Sequence, residues 1–112
     1  AAVALEQRMG NDVSVADPEL GLARLLADEG DLAAAEPLAR DALDRRARTN
    51  GVDNIYTGRA RVVLGEILAR QGSRGSAERA FREALRVLEP LVGSDDADVR
   101  AARLGLTQHV GR

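Results

Sequence analysis

The stretch LARLLADEGDLAAAEPLARDAL, residues 22–43, returns at 64–85 as LGEILARQGSRGSAERAFREAL. The offset is 42 residues throughout and needs no gap. Leu22 meets Leu64, Leu25 meets Ile67, Leu26 meets Leu68 and Gly30 meets Gly72; Ala35-Glu36 meets Ala77-Glu78, and Ala42-Leu43 meets Ala84-Leu85. A chain that repeats itself at this period builds an array of supersecondary units, each burying its apolar face against its neighbours. Three joints mark the same rhythm, each a glycine with aspartate two positions on: Gly10/Asp12, Gly51/Asp53 and Gly93/Asp95. Recurrence at a fixed interval makes them architectural joints. Each glycine stops a helix, and its aspartate caps or turns the chain into the next.

Each unit reads as two helices. Leu22, Ala23, Leu25 and Leu26 recur at helical spacing. Asp17 before Pro18 signals an N-cap followed by proline in the first turn. Gly30 ends this helix and Asp31 caps the next, whose apolar positions are Leu32, Ala35, Leu38, Ala39, Ala42 and Leu43. Pro37 lies near its start, where a lost donor costs least. The second unit repeats the plan, with helices over about 56–71 and 75–91 and a turn at Gly72. Residues 1–9 occupy the register of a second helix, and 97–110 that of another first helix. The expected organisation is one domain over 1–112: a half repeat (1–9), two full repeats (17–50 and 56–92) and a half repeat (97–110).

Composition agrees with packed helices. Apolar residues reach 45% but aromatics only 2%, so the core must be alanine, leucine and valine in closely approaching helices. Charged residues reach 30% with a net charge of −2, which gives no general attraction to nucleic acid or to an anionic membrane. No run approaches the roughly 20 apolar residues a membrane helix needs. Cysteine is absent, which removes disulfides and thiolate metal sites. All 16 basic residues are arginine, a bias that fits GC-rich bacterial coding. His109 is the only histidine, and Ser14, Ser73, Ser76 and Ser94 have no partners that would make a nucleophile, so the chain reads as non-enzymatic and without a cofactor. The acidic run at 95–98 lacks the glycine and distant glutamate of a calcium loop and reads as capping. The basic run Arg45, Arg46, Arg48 ends a second helix, where cations suit the helix dipole.

The whole chain resembles the tetratricopeptide repeat (TPR) family. The small residues where paired helices and successive units touch match Ala23 and Gly65, Ala35 and Ala77, and Ala42 and Ala84; the bulky residue late in the second helix matches Phe81 but departs at Ala39. Arg45 and Arg46 also depart, standing where Val87 and Leu88 stand in the next unit. The family's usual unit has about 34 residues. The longer interval here looks like the 42-residue variety of kinesin light chain-like arrays and bacterial regulatory proteins. The resemblance implies an all-α solenoid of antiparallel helix pairs, a right-handed superhelix of about six helices. It implies a concave groove, lined by first helices, that binds a peptide or helix of another protein. The expected groove residues are Leu20, Arg24, Ala27 and Asp28; Arg59, Val62, Glu66 and Arg70; and Ala102, Leu106 and His109. The lysine–asparagine clamp with which some members grip a terminal carboxylate is missing, because Arg24 and Glu66 stand at the inward positions. The corresponding role is an interaction module of a larger, cytoplasmic, bacterial regulatory protein, with neither nucleic acid nor membrane as partner. Two alternatives are self-association through exposed terminal half repeats, giving a homo-oligomer, and a small-ligand sensor controlling an attached enzyme.

Overall fold

The computed structural model describes residues 18–110, the side chains of His109 and Val110 excepted. The half repeat expected at 1–9 and the Asp17 cap lie outside the described residues. Five α-helices follow in order: α1 Pro18–Asp28, α2 Leu32–Asn50, α3 Ile55–Arg70, α4 Arg74–Val92 and α5 Ala97–Gly105. A π-helical turn, Leu106–Val110, extends α5. The described residues contain no strand. Each helix packs against the next, in an all-α solenoid of paired helices.

Local chemistry fixes the ends. Pro18 opens α1, where its missing N–H costs nothing. The turns within each pair close alike. The Asp31 amide donates to Leu26 O at 2.8 Å and the Gly30 amide to Ala27 O at 3.0 Å; in the second pair Ser73 donates to Leu68 O at 2.9 Å and Gly72 to Ala69 O at 3.0 Å. This is the Schellman pattern. Asp31 then accepts from the Ala34 amide at 3.2 Å and caps α2, while Ser73 makes no side-chain cap to α4.

The joints between repeats need their glycines for a different reason. Gly51 has φ 90° and ψ 160°, and Gly93 has φ 87° and ψ 170°. A Cβ makes that region costly, so only glycine enters it readily. The capping residues stand one position later than the expected Asp53 and Asp95. Asn54 accepts from the Tyr56 amide at 2.8 Å, and Asp96 accepts from the amides of Asp98 at 2.8 Å and Val99 at 3.2 Å. Asp53 instead accepts from Arg86 Nη2 at 2.7 Å.

The core lies between the helix pairs and is mostly alanine, valine and leucine. Phe81 of α4 is fully buried. Its ring lies against two glycines of first helices: a Cβ at Gly65 would stand 2.8 Å from Phe81 Cε1, and one at Gly105 only 2.5 Å from Cε2. Leu88 meets Gly58 in the same way, 2.8 Å from Cγ. In the first repeat the positions of Gly65 and Phe81 are held by Ala23 and Ala39, both fully buried. The polar departures are also accommodated. Arg45 pairs with Glu19 of α1 at 2.6 Å, and the Arg46 guanidinium lies 5.9 Å from the centre of the Tyr56 ring of α3.

The first helices gather on one side. α1 touches α3 and α3 touches α5, whereas α2 and α4 do not touch. First helices therefore form the inner face and the splayed second helices the outer one.

The seat of Phe81 is testable. Gly65→Ala gains about 1 kcal/mol of helix propensity, but its methyl has no space. The expected net result is a loss of about 1–2 kcal/mol in urea unfolding. Phe81→Leu in the same chain restores part of that loss; additive effects of the two changes would show that Gly65 and Phe81 are not in contact.

Candidate functional site

The inner face is built from side chains one repeat apart. Arg24 of α1 and Glu66 of α3 occupy the same position in successive units, and so do Asp28 and Arg70. Each pair has opposite signs, so adjacent repeats are joined across the face. Arg24 Nη2 lies 3.4 Å from Glu66 Oε1 and 3.7 Å from Asp98 Oδ1 of α5. Arg70 Nη1 donates to Ala27 O at 2.9 Å and lies 3.4 Å from Asp28 Oδ1. Arg59 reaches the other way, pairing with Asp96 Oδ2 at 3.1 Å and with Asp98. Arg24, Asp28, Arg59, Glu66 and Arg70 are thus brought together, with their heads linking α1, α3 and α5.

Three expected groove residues are elsewhere: Leu20 is 7% exposed, and Val62 and Ala102 are fully buried. Ala27 is little exposed too, but it borders the inner hollow beside Arg24 and Asp28. The correction has one physical cause. The inward stripe of α3 runs Arg59, Val63, Glu66, Arg70, at steps of four, three and four residues. Val63, not Val62, borders the inner hollow with Glu66 and Arg70. Adjacent residues differ by about 100° around a helix, so Val62 turns into the core. Leu20 occupies the same repeat position as Val62 and turns inward with it. Leu106 is half-buried in the π-helical turn. The side chain of His109 lies outside the described residues.

Asp96 and Asp98 belong to the face and were not expected there. Both lie at the start of α5, where an acid has a sufficient local reason to stand. A projection of α5 would have found Asp98, which shares its stripe with Ala101 and Gly105 at steps of three and four residues.

Burial shapes the titration of two carboxyls in this network. Burial pushes Glu66 above the usual carboxylate range, and the field and hydrogen bond of Arg24 only partly offset it. At Asp96 burial also pushes upward, but hydrogen bonds from Arg59 and from the Val99 and Asp98 amides outweigh it and hold the group below its ordinary value. Two small hollows border Glu66 and Arg70. One, of about 190 Å³, opens toward Arg24 and Asp28; the other, of about 100 Å³, opens toward Ala101 and Leu104. The face offers guanidinium donors and carboxylate acceptors in alternation, suited to the polar groups of a polypeptide. Among the described residues no group of three or more histidine, cysteine or acidic side chains could hold a metal ion, and no helix is long and apolar enough to cross a membrane.

The family model of the tetratricopeptide repeat matches residues 14–89. The chain belongs to the TPR family. The 42-residue interval of this TPR chain is consistent with the kinesin light chain-like variety. No curated protein and no solved structure matches the chain. Proteins of the TPR family generally mediate protein–protein interaction.

Asp96 links the face to pH. Its folded pKa lies below its unfolded one, so the unfolded chain binds more protons in the acid range. Its contribution is present above the unfolded value and is lost as pH falls through the folded one. Glu66 has the opposite sign: its contribution is present below the unfolded value and is lost as pH rises through its raised folded pKa. Asp96→Asn is expected to cost about 1–2 kcal/mol at pH 7 and to flatten the acid-side fall in urea stability. Glu66→Gln is expected to steepen that fall. Parallel pH profiles for both variants and wild type would contradict this assignment.

Proposed function

We propose that the inner face of this TPR solenoid binds a peptide or helix of a partner protein, as one module of a larger bacterial regulatory protein that acts in the cytoplasm. The observation that carries the reading is the alignment of α1, α3 and α5, which puts Arg24, Asp28, Glu66 and Arg70 on one surface. Arg24 and Arg70 are 48% and 44% exposed, Asp28 63% and Glu66 34%, and their pairs are weak enough to exchange. Solvent-exposed pairs contribute only about 0–1 kcal/mol each. A partner's carboxylates and amides can therefore replace the internal acceptors at small cost. The bacterial element rests on composition, sixteen arginines and no lysine, and the regulatory one on the arrays that the 42-residue interval resembles. A small-ligand sensor is less well supported, because ligand pockets usually enclose about 300–1,000 Å³ and the inner hollows are about 190 and 100 Å³.

The test combines crosslinking and charge reversal. A photo-crosslinker at position 28 is expected to capture a partner from the native host, and one at Arg48 on the outer helix α2 is not. Arg24→Glu with Arg70→Glu is expected to abolish that capture while far-UV circular dichroism stays unchanged. Equal capture from both positions, or capture that survives the reversal, would sink the groove reading.

A second reading, self-association, rests on exposed apolar side chains at the two ends of the described helices. Leu22 is 46% and Leu25 54% exposed, although their repeat equivalents Leu64 and Ile67 are buried. At the other end Leu104 is 52% exposed, where the equivalent Val62 is fully buried. Each end thus displays a surface that the interior of the array covers, and the two can meet head to tail. Sedimentation at high micromolar concentration is expected to show concentration-dependent association that Leu25→Glu or Leu104→Glu removes. A strictly monomeric wild type rules this reading out.

A further inference from the structure

The outer side of the solenoid holds a cleft of about 640 Å³ between α2 and α4. It exists because these second helices do not touch, and α3 shows through between them. Its floor is apolar, with Leu43 of α2 and Leu64 and Leu68 of α3. Its walls carry five arginines, Arg40, Arg61, Arg79, Arg82 and Arg86, and one carboxylate, Glu83. In a chain of net charge −2, this concentration of cations is local.

Three of the five are engaged. Arg40 bonds Glu36 at 2.7 Å, Arg82 bonds Glu78 at 2.8 Å, and Arg86 holds Asp53 at 2.7 Å together with Glu83. Arg79 and Arg61 are different. Arg79 donates only to Ser76 Oγ, at 3.2 Å. Arg61 makes no ion pair among the described residues, and its Nε is buried without an acceptor. A buried donor without an acceptor is costly to keep.

The repeat shows why Arg61 lacks an ion pair, although its charge acts on Glu83 across the cleft. Its equivalent in the third unit, Arg103, pairs with Glu89, fourteen residues upstream in the preceding second helix. The same step back from Arg61 reaches Ala47. Its equivalent in the first unit is Glu19, which pairs with Arg45. The position is therefore satisfied within the chain in the two flanking units and unsatisfied in the middle one, where the cleft lies.

We propose that this outer cleft is a second binding site, distinct from the inner face, and that it takes an acidic, leucine-bearing segment of a partner protein. Carboxylates of the segment pair with Arg61 and Arg79, and its leucines cover Leu43 and the floor. Ser76, Arg79, Glu83 and Arg86 recur at three- and four-residue steps, so one face of α4 lines the site over about 15 Å. That matches about five extended residues or two to three helical turns of a ligand. No aromatic side chain lines the cleft. Base stacking has no platform there, and the site favours an acidic polypeptide over single-stranded nucleic acid.

The test uses a fluorescein-labelled peptide of alternating leucine and glutamate pairs, its lysine-for-glutamate counterpart, and a labelled oligothymidine, read by anisotropy at low salt. The acidic peptide is expected to bind at least about tenfold more tightly than the basic one, and to weaken as salt is raised. Arg61→Gln with Arg79→Gln is expected to weaken it about tenfold, while Arg48→Gln, exposed on α2 away from the cleft, changes nothing. Arg79→Gln alone, at an exposed position, is expected to weaken it about threefold and keeps the test open if the Arg61 variant fails to fold. The proposal is overturned by no binding of the acidic peptide, by equal binding of the basic one, by tighter binding of the oligonucleotide, or by undiminished affinity in the arginine variants.

Discussion

The contact of one aromatic ring with two glycines holds the second half of this solenoid together. Phe81 is the only phenylalanine in the chain, and it lies against Gly65 of α3 and Gly105 of α5. A core of alanine and valine buries too little area per residue unless helix axes come close, and close axes need positions without side chains. Gly65 and Gly105 are such positions, and Phe81 fills the space they leave. Because one ring touches first helices of two successive repeats, it sets the pairing within a unit and the stacking between units together. The first repeat reaches the same end by sharing the volume differently, with Ala23 and Ala39 in place of glycine and phenylalanine.

That close packing of first helices has an electrostatic consequence. Side chains at one repeat position face their counterparts in the next, so like charges there would repel. The chain places Arg24 opposite Glu66 and Asp28 opposite Arg70, and Asp98 completes the series by receiving both Arg24 and Arg59. The inner face is consequently neutral over short distances. Recognition there depends on the order of charges along the groove more than on net attraction, and steering across several Debye lengths is weak.

Much of this was legible in the sequence, for reasons that also mark its limits. The gapless return at 42 residues fixed helix order, pairing and the small residues at the contacts, because all of these repeat. Val62 and Val63 could not be separated: both are apolar and adjacent, and periodicity locates a face only to within about a residue. The structure turns Val62 into the core and Val63 toward the groove. The joint aspartates posed the same difficulty in another form. Asp53, Asn54, Asp95 and Asp96 are all able to cap, and backbone geometry after the glycine selects Asn54 and Asp96. Asp98 escaped notice because its place in a helix's first turn already accounts for an acid. Its bonds to Arg59 and Arg24 arise only when three helices are brought side by side.

Where the second repeat departs from the first and third, the structure sorts the departures by how they are satisfied. Arg45 and Arg46 replace apolar residues, and each finds a partner in a neighbouring first helix, Glu19 for one and the Tyr56 ring for the other. These changes exchange one stabilising contact for another. Ala47 is a different kind of departure, since it withdraws the carboxylate that its counterpart Glu89 gives to Arg103. Arg61 is left with a buried nitrogen that nothing in the described chain accepts from. A repeat protein tolerates substitutions most easily on its outer surface, where each residue touches little. Arg61 is held half-buried between two splayed helices without an ion pair among the described residues, and the surrounding arginines set the sign of the ligand proposed for the cleft.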